Sequence, residues 1–83
     1  MNRTLIYKRK YLVKDKMYEK AGIYKISCIQ SDKIYIGESL DLYNRIQRHF
    51  TNLRKGKHHN PILQNIYNKY GEESMIVEVL EYV

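Results

Sequence analysis

The chain contains few of the residues that mark special structures. Of its 83 residues, one is cysteine, one is proline, one is phenylalanine and none is tryptophan. The single cysteine, Cys28, excludes an internal disulfide, and no CxxC or Cys/His spacing predicts a structural zinc site. No apolar run is long enough to span a membrane or to form a signal-peptide core. We therefore expect a cytoplasmic protein with a buried free thiol and no membrane partner.

Tyrosine is the abundant aromatic residue, with nine copies in a chain long enough for one small domain. Phenol rings fill half-buried positions of strands and helices well. They also stack on nucleobases and contact phosphates. The composition leaves both interpretations of the tyrosines open.

The net charge of +6 is concentrated in two basic blocks. Residues 1–20 carry a net charge of +5, residues 45–59 carry another +5, and residues 71–83 are acidic. Two basic blocks on one small domain predict a polyanion partner, and we expect nucleic acid, DNA rather than RNA.

Residues 1–20 are interpreted as a basic N-terminal arm and residues 21–83 as the domain. A partial helix or strand is expected from about Tyr7 to Glu19. Such an arm is either flexible when alone or follows a nucleic-acid backbone and orders on binding.

The stretch from Ala21 to Gly37 predicts an antiparallel hairpin, because two runs of β-formers flank a polar break. Alternation places Tyr24, Ile26 and Cys28 on one face of the first strand. The hairpin would bring Tyr24 close to Tyr35. Two neighbouring phenols are either a cross-strand pair that stabilises the hairpin or part of a site.

Two amphipathic helices and a third strand follow. Ser39 or Asp41 is the expected N-cap of a helix whose apolar stripe is Leu42, Ile46, Phe50 and Leu53, ending near Gly56. Asn60 and Pro61 predict the start of a second helix. Its expected apolar side is Ile62, Leu63, Ile66, Tyr67 and Tyr70. The residues from Met75 to Val83 predict the last strand. The order β-β-α-α-β predicts an α+β fold, a small three-stranded antiparallel sheet covered by helices.

The triplets Gly22-Ile23-Tyr24 and Tyr35-Ile36-Gly37, separated by ten residues, resemble the hallmark of the GIY-YIG nuclease family. The resemblance extends from Gly22 to about Val83 and includes a following helix with Arg45 and His49. It implies a nuclease that hydrolyses phosphodiesters with one divalent metal, usually magnesium.

The resemblance also implies catalytic roles for four residues. Tyr24 would activate or orient the attacking water, and Tyr35 would position that water or the phosphate. Arg45 would stabilise the pentavalent phosphate, and His49 would support the same face. Because an unperturbed phenol is a poor base at neutral pH, Tyr24 would need a cation nearby.

A second set of residues is expected to contact nucleic acid, because most of them belong to the second basic block and its loop. Lys57, His58 and His59 are interpreted as a basic loop exposed to solvent or phosphate. The expected nucleic-acid-binding residues are Gly37, Arg48, Arg54, Lys55, Lys57, His58 and Asn60.

The sequence departs from the family at the metal. In the family a glutamate on a helix after the third strand holds the ion, and the sequence has no such helix after Val83. No other residue is expected to bind metal, except that Glu19 would substitute if the arm folded over the site. Magnesium is therefore the expected cofactor only if the chain is active.

Three functions remain open. The first is a GIY-YIG-derived domain that binds phosphate backbones and is catalytically incomplete on its own. The second is an active endonuclease whose carboxylate comes from the arm or from a protein partner. The third is an inhibitor of a nucleic-acid enzyme, such as an anti-defence factor of a phage or mobile element, located in the host cytoplasm.

Overall fold

The structure, a computed structural model, describes the backbone of residues 4–6 and residues 20–83 in full. The helix or strand expected from about Tyr7 to Glu19 lies outside the described residues, and so does the candidate metal ligand Glu19. The boundary between arm and domain at residues 20 and 21 stays a prediction.

The described chain forms one antiparallel sheet with the strand order β1-β4-β2-β3. The predicted three-stranded sheet is confirmed, and one short strand from the N-terminal segment extends it at the edge of β4. The strands are β1 (Thr4–Ile6), β2 (Gly22–Cys28), β3 (Ser31–Ser39) and β4 (Met75–Tyr82).

The predicted hairpin is formed by β2 and β3, and it turns at residues 29–30. Its register pairs Tyr24 with Gly37 and Ile26 with Tyr35. Tyr24 and Tyr35 are therefore diagonal neighbours rather than directly opposite each other, with ring centroids 6.4 Å apart. Diagonal neighbours on one face remain within reach of aromatic side chains.

One face of the sheet forms the hydrophobic core. Side chains alternate between the two faces of a strand, and those on the core face of β2 and β4 are almost completely inaccessible. These residues are Tyr24, Ile26, Cys28, Met75, Val77 and Val79. Cys28 is a buried free thiol, as expected.

Helix α1 (Leu42–Arg54) covers this face with its predicted apolar stripe, all of it buried. Asp41 is the N-cap, and its side chain accepts a hydrogen bond from the backbone N–H of Asn44 at 3.3 Å. At the other end, Gly56 has a φ of +70°. The N–H of Lys57 donates to the carbonyl of Asn52 at 2.8 Å, which gives the helix a Schellman-type end.

Helix α2 (Pro61–Tyr70) begins as predicted, with Asn60 as N-cap and Pro61 in the first turn. Its apolar side is narrower than expected. Leu63 is buried and Ile66 packs against the core, but Ile62 is 56% exposed. A one-turn 3-10 helix (Glu72–Ser74) leads into β4. No helix in the described part of the chain is long and apolar enough to cross a membrane.

Candidate active site

Five aromatic side chains from four segments meet beside the β2–β3 hairpin. Tyr24 comes from β2, Tyr35 from β3 and His49 from α1. His58 and His59 come from the loop of residues 55–60, which joins the two helices. The Tyr35 ring meets His49, His58 and His59 edge-on, at centroid distances of 4.9, 5.9 and 5.9 Å. The aromatic cluster thus contains three of the four predicted catalytic residues together with two further histidines, and the fourth, Arg45, lies beside Tyr24.

Tyr24 is completely buried, and its hydroxyl lies 2.5 Å from His49 Nε2. Gly37 of the second motif triplet lies opposite Tyr24 and, because it has no side chain, leaves the space that the Tyr24 ring fills. A Cβ on Gly37 would lie 2.5 Å from Tyr24 Cζ, far inside any normal contact. The glycine therefore makes room for a side chain of the protein itself.

A chain of hydrogen bonds fixes the protons on the two buried histidines. The backbone N–H of Asn60 donates to His58 Nδ1 at 3.0 Å, so a neutral His58 carries its proton on Nε2. That proton is donated to His49 Nδ1, which lies 2.7 Å away. His49 in turn carries its proton on Nε2 and donates it to the oxygen of Tyr24.

Tyr35 has its own histidine at the surface. The Tyr35 hydroxyl lies 3.2 Å from His59 Nε2, and both residues reach solvent. The His59 ring stacks on His58 at a centroid distance of 4.5 Å and an interplanar angle of 22°. The site therefore contains a buried tyrosine–histidine pair and an exposed one, in contact with each other.

Gln64 of α2 holds the loop in place. Its side-chain oxygen accepts the backbone N–H of His58 at 2.9 Å, and its side-chain nitrogen donates to the carbonyl of Leu53 at 3.0 Å. The Leu53 carbonyl also accepts the backbone N–H of Gly56 at 3.1 Å, so Gln64 adds a second hydrogen bond at this helix end. Gln64 thus connects the end of α1, the histidine loop and α2.

Arg45 is the predicted cation beside Tyr24, and its effect on the pKa of Tyr24 is smaller than the effect of burial. Burial, followed by repulsion from Tyr35, raises the pKa of Tyr24 to about 12, although the charge of Arg45 and a hydrogen bond from it lower the value. Tyr24 is therefore a neutral phenol at physiological pH.

The two buried histidines are neutral at the same pH. Burial, followed by repulsion from His58 and His59, lowers the pKa of His49 to about 4. Burial, followed by repulsion from His59, also lowers the pKa of His58. Neutral imidazoles are what the chain of hydrogen bonds requires, since each has one donating and one accepting nitrogen.

The expectation of an exposed basic loop holds for Lys57 and His59 but is wrong for His58. His58 is only 8% exposed, because its backbone and ring are bound by Gln64, His49 and Asn60. The hydrogen bonds of His58 with His49, of His59 with Tyr35 and of Gln64 with the loop were not predicted from the sequence. The sequence signal that could have indicated these roles is the glycine at position 56. It permits a tight turn that returns the loop toward His49.

The other predicted nucleic-acid contacts lie in different surroundings. Arg48 is exposed in the middle of α1, and Lys55 and Lys57 are exposed just after its end. Arg54 makes a bidentate ion pair with Glu72, at 2.8 and 3.1 Å, so part of its role is structural. Asn60 is occupied as the cap of α2, at 3.1 Å from the Leu63 N–H. Nucleic-acid contact by all these residues stays a prediction.

The aromatic cluster offers phenols, imidazoles and a guanidinium, and hard divalent cations prefer carboxylate oxygens. Among the described residues, no group of three His, Cys, Asp or Glu side chains is arranged to hold a metal ion. A cleft of about 390 Å³ beside Arg45 is lined by one carboxylate residue, Glu38. The described side chains therefore do not fit a complete divalent-metal site.

Comparison with known proteins identifies relatives of the whole folded region. A family model of the GIY-YIG catalytic domain matches residues 20–83. Intron-associated endonuclease 1 of Enterobacteria phage T4 is 40% identical over 65 residues, which are 76% of this chain and 26% of the relative. Probable intron-encoded endonuclease 1 of Neurospora crassa is 33% identical over 81 residues, 98% of this chain and 24% of the relative. The chain thus spans about a quarter of the length of these curated relatives.

Solved structures give the same result for the fold. The catalytic domain of the homing endonuclease I-TevI superposes with a TM-score of 0.72 and 36% identity, covering 77% of this chain and 68% of that one. A mutant of the same catalytic domain gives a TM-score of 0.70 and 38% identity, covering 77% of this chain and 65% of that one. The predicted family and fold are both confirmed: the chain belongs to the GIY-YIG family, as an endonuclease-like domain related to homing endonucleases.

Proposed function

We propose that this chain is the phosphate-handling part of a GIY-YIG endonuclease. In this proposal it binds the nucleic-acid backbone, expected to be DNA, and it orients water and the scissile phosphate for hydrolysis. The convergence of Tyr24, Tyr35 and His49 beside Arg45 is the observation that carries the proposal. We place this function in the cytoplasm, that of the host if a phage encodes the chain.

The chemistry needs an oriented nucleophile and a cation at the phosphate. Arg45 is exposed on the first turn of α1 and lies beside the Tyr24 hydroxyl, so a phosphate bound to the guanidinium would be adjacent to that phenol. The His49 N–H donates to the Tyr24 oxygen and keeps it in one orientation. Tyr35, which is half-buried and reaches solvent, can then accept a hydrogen bond from, or donate one to, a water at the site.

GIY-YIG nucleases are in general divalent-metal dependent, and magnesium is the ion proposed here. Because the described side chains do not complete a metal site, the proposal assigns the missing carboxylate to residues outside the described part of the chain or to a partner. Hydrolysis by the 83-residue chain alone is therefore expected to be slow, while binding is retained.

The binding half is tested by titrating labelled duplex DNA at several salt concentrations. Each lost phosphate contact should flatten the slope of log affinity against log salt by about one unit, so Arg48→Ala/Lys55→Ala should flatten it by about two. Lys25→Ala/Lys69→Ala removes the same charge from other surfaces and should leave the slope close to that of the wild type. An affinity that does not vary with salt would overturn the proposal.

The hydrolytic half is tested by incubating single- and double-stranded DNA and RNA with magnesium, manganese or chelator. Slow or undetectable cleavage together with salt-sensitive binding is the expected result. Rapid metal-dependent cleavage that disappears in Tyr24→Phe and Arg45→Ala would show that the 83 residues hold their own metal ligand. Glu38→Gln and Glu19→Gln would then identify it.

A further inference from the structure

Gln64 is a buried polar residue of α2 whose side-chain amide reaches the loop of residues 55–60. The amide oxygen accepts the backbone N–H of His58 at 2.9 Å. The amide nitrogen donates to the Leu53 carbonyl at 3.0 Å and to Asn68 Oδ1 at 2.9 Å. Because an N–H only donates and a carbonyl only accepts, these partners allow one orientation of the amide. The oxygen of Gln64 is therefore fixed on the loop.

The loop position that Gln64 holds determines the buried tyrosine–histidine pair. The Asn60 backbone donates to His58 Nδ1 at 3.0 Å, and His58 Nε2 donates to His49 Nδ1 at 2.7 Å. His49 is left with its proton on Nε2, facing the Tyr24 oxygen. The donor that Tyr24 receives thus depends on where the His58 ring lies.

The same loop position determines the exposed pair. The His59 ring stacks on the buried His58 ring at a centroid distance of 4.5 Å, and His59 Nε2 lies 3.2 Å from the Tyr35 hydroxyl. His59 is exposed, so the stack on a buried neighbour limits the positions of its ring. A displacement of His58 would therefore disturb both pairs at once.

We propose that Gln64 is a positioning residue for the proposed hydrolysis: by holding the His58 backbone, its amide oxygen aligns both tyrosine–histidine pairs. This role rests on the proposed function, and Gln64 acts in it through the histidines rather than on the substrate. Misplacing a reacting group by about 1 Å can cost about a hundredfold in rate, so the tyrosines need one fixed loop position.

The two ends of the amide allow alignment to be separated from stability. The nitrogen connects Gln64 to the end of α1 and to Asn68 of α2, and these hydrogen bonds support the packing of the helices. The oxygen alone reaches the histidine backbone. Variants that change one end of the amide and not the other therefore distinguish a positioning residue from a structural one.

The test reads histidine tautomers in the ¹⁵N-labelled 83-residue chain from two-bond ¹H–¹⁵N correlations. Wild-type His49 and His58 should both be neutral Nε2–H tautomers. Gln64→Met keeps a side chain of similar length but removes both polar atoms. In the folded variant, His49 should lose its single tautomer, and the nuclear Overhauser contacts between the Tyr35 and His59 rings should be lost. Gln64→Asn, which draws the amide back by one methylene, replaces this variant if it does not fold.

Two further variants are the controls. Asn68→Ala removes a partner of the Gln64 nitrogen and leaves the oxygen on His58, so both readouts should match the wild type. Gln64→Glu retains an oxygen that accepts the His58 N–H and should also keep the Nε2–H tautomers.

The proposal is overturned by an Nδ1–H tautomer of wild-type His49. It is also overturned if the folded Gln64→Met or Gln64→Asn variant keeps the wild-type tautomers and ring contacts. Loss of the single tautomer in folded Asn68→Ala or Gln64→Glu would assign the effect to the amide nitrogen, and would overturn it as well.

The outcomes are independent of the proposed function, because tautomers are measured without nucleic acid. A chain with the expected tautomers but no salt-sensitive DNA binding would retain the alignment by Gln64 and lose the nuclease assignment. A chain that binds DNA while Gln64→Met keeps the wild-type tautomers would lose the role of Gln64 alone.

Discussion

Tyr24 and His49 lie inside the protein, whereas Tyr35 and His59 form a pair of the same two residue types at its surface. The buried pair is joined at 2.5 Å and connects a central strand to a helix. The exposed pair is joined at 3.2 Å and connects an edge strand to a loop. Packing and the hydrogen bonds behind His49 determine the protons of the first pair. Contact with solvent leaves the second pair able to exchange its protons.

Truncating Tyr24 and Tyr35 to alanine, one at a time, should give the largest difference in stability between the buried pair and the exposed pair. Tyr24→Ala should lower the free energy of unfolding by about 3–5 kcal/mol, because it leaves a cavity at the centre of the core. Tyr35→Ala should cost clearly less, since Tyr35 is only half-buried. Urea unfolding, with the m-value checked for each variant, makes the comparison. Equal losses would mean that Tyr24 is not the more deeply packed residue.

Acid should selectively weaken the buried pair. The pKa of His49 is lowered to about 4 in the folded protein and is near 6.5 when unfolded, so the unfolded chain binds the extra proton first. This contribution to stability is complete above about pH 6.5 and is lost as the pH falls toward 4. The loss should approach roughly 3 kcal/mol.

The control for this pH effect is His49→Gln, which removes the titrating group. Its stability should fall less steeply than that of the wild type between pH 6.5 and 4. Urea unfolding at several pH values measures both slopes, and parallel curves would contradict the assigned burial of His49.

Adding a methyl group at Gly37 should lower stability less than truncating Tyr24 or acidifying the solution. Gly37→Ala should cost about 1–3 kcal/mol, because the new Cβ would overlap the Tyr24 ring. The cost should mostly disappear in a Tyr24→Ala background, where the ring is gone. Gly56→Ala is the matched control: it has open space but a φ of +70°, so its cost should not depend on Tyr24. Thermal or urea unfolding of six chains decides this: the wild type, the three single variants, and Gly37→Ala and Gly56→Ala each combined with Tyr24→Ala.

The sequence contained enough information for three of the four described strands, both helices and the residues of the buried pair. Alternation placed Tyr24 on the core face, and the spacing of Leu42, Ile46 and Phe50 specified which side of α1 meets the sheet. Residue type favoured Asn60 as one N-cap and left Ser39 and Asp41 as the two candidates for the other, which is Asp41. These features depend on neighbours close in sequence, which is why they were predictable.

The remaining features depend on contacts between distant segments. The burial of His58 follows from a backbone turn and from Gln64 on another helix, and neither is visible in the composition of a basic loop. The narrower apolar side of α2 has the same origin, because where the helix sits on the sheet decides which of Ile62 and Leu63 is covered. The high pKa of Tyr24 was also unforeseen, since burial outweighs a neighbouring arginine.

Gln64 has a consequence for anyone who redesigns this domain. It holds the backbone of His58 and the end of α1 at once. Histidines 58 and 59 can therefore be transplanted into a related scaffold only together with an amide at the position of Gln64. A redesign that keeps every residue of the aromatic cluster but places an aliphatic residue at position 64 would preserve these side chains and lose their alignment.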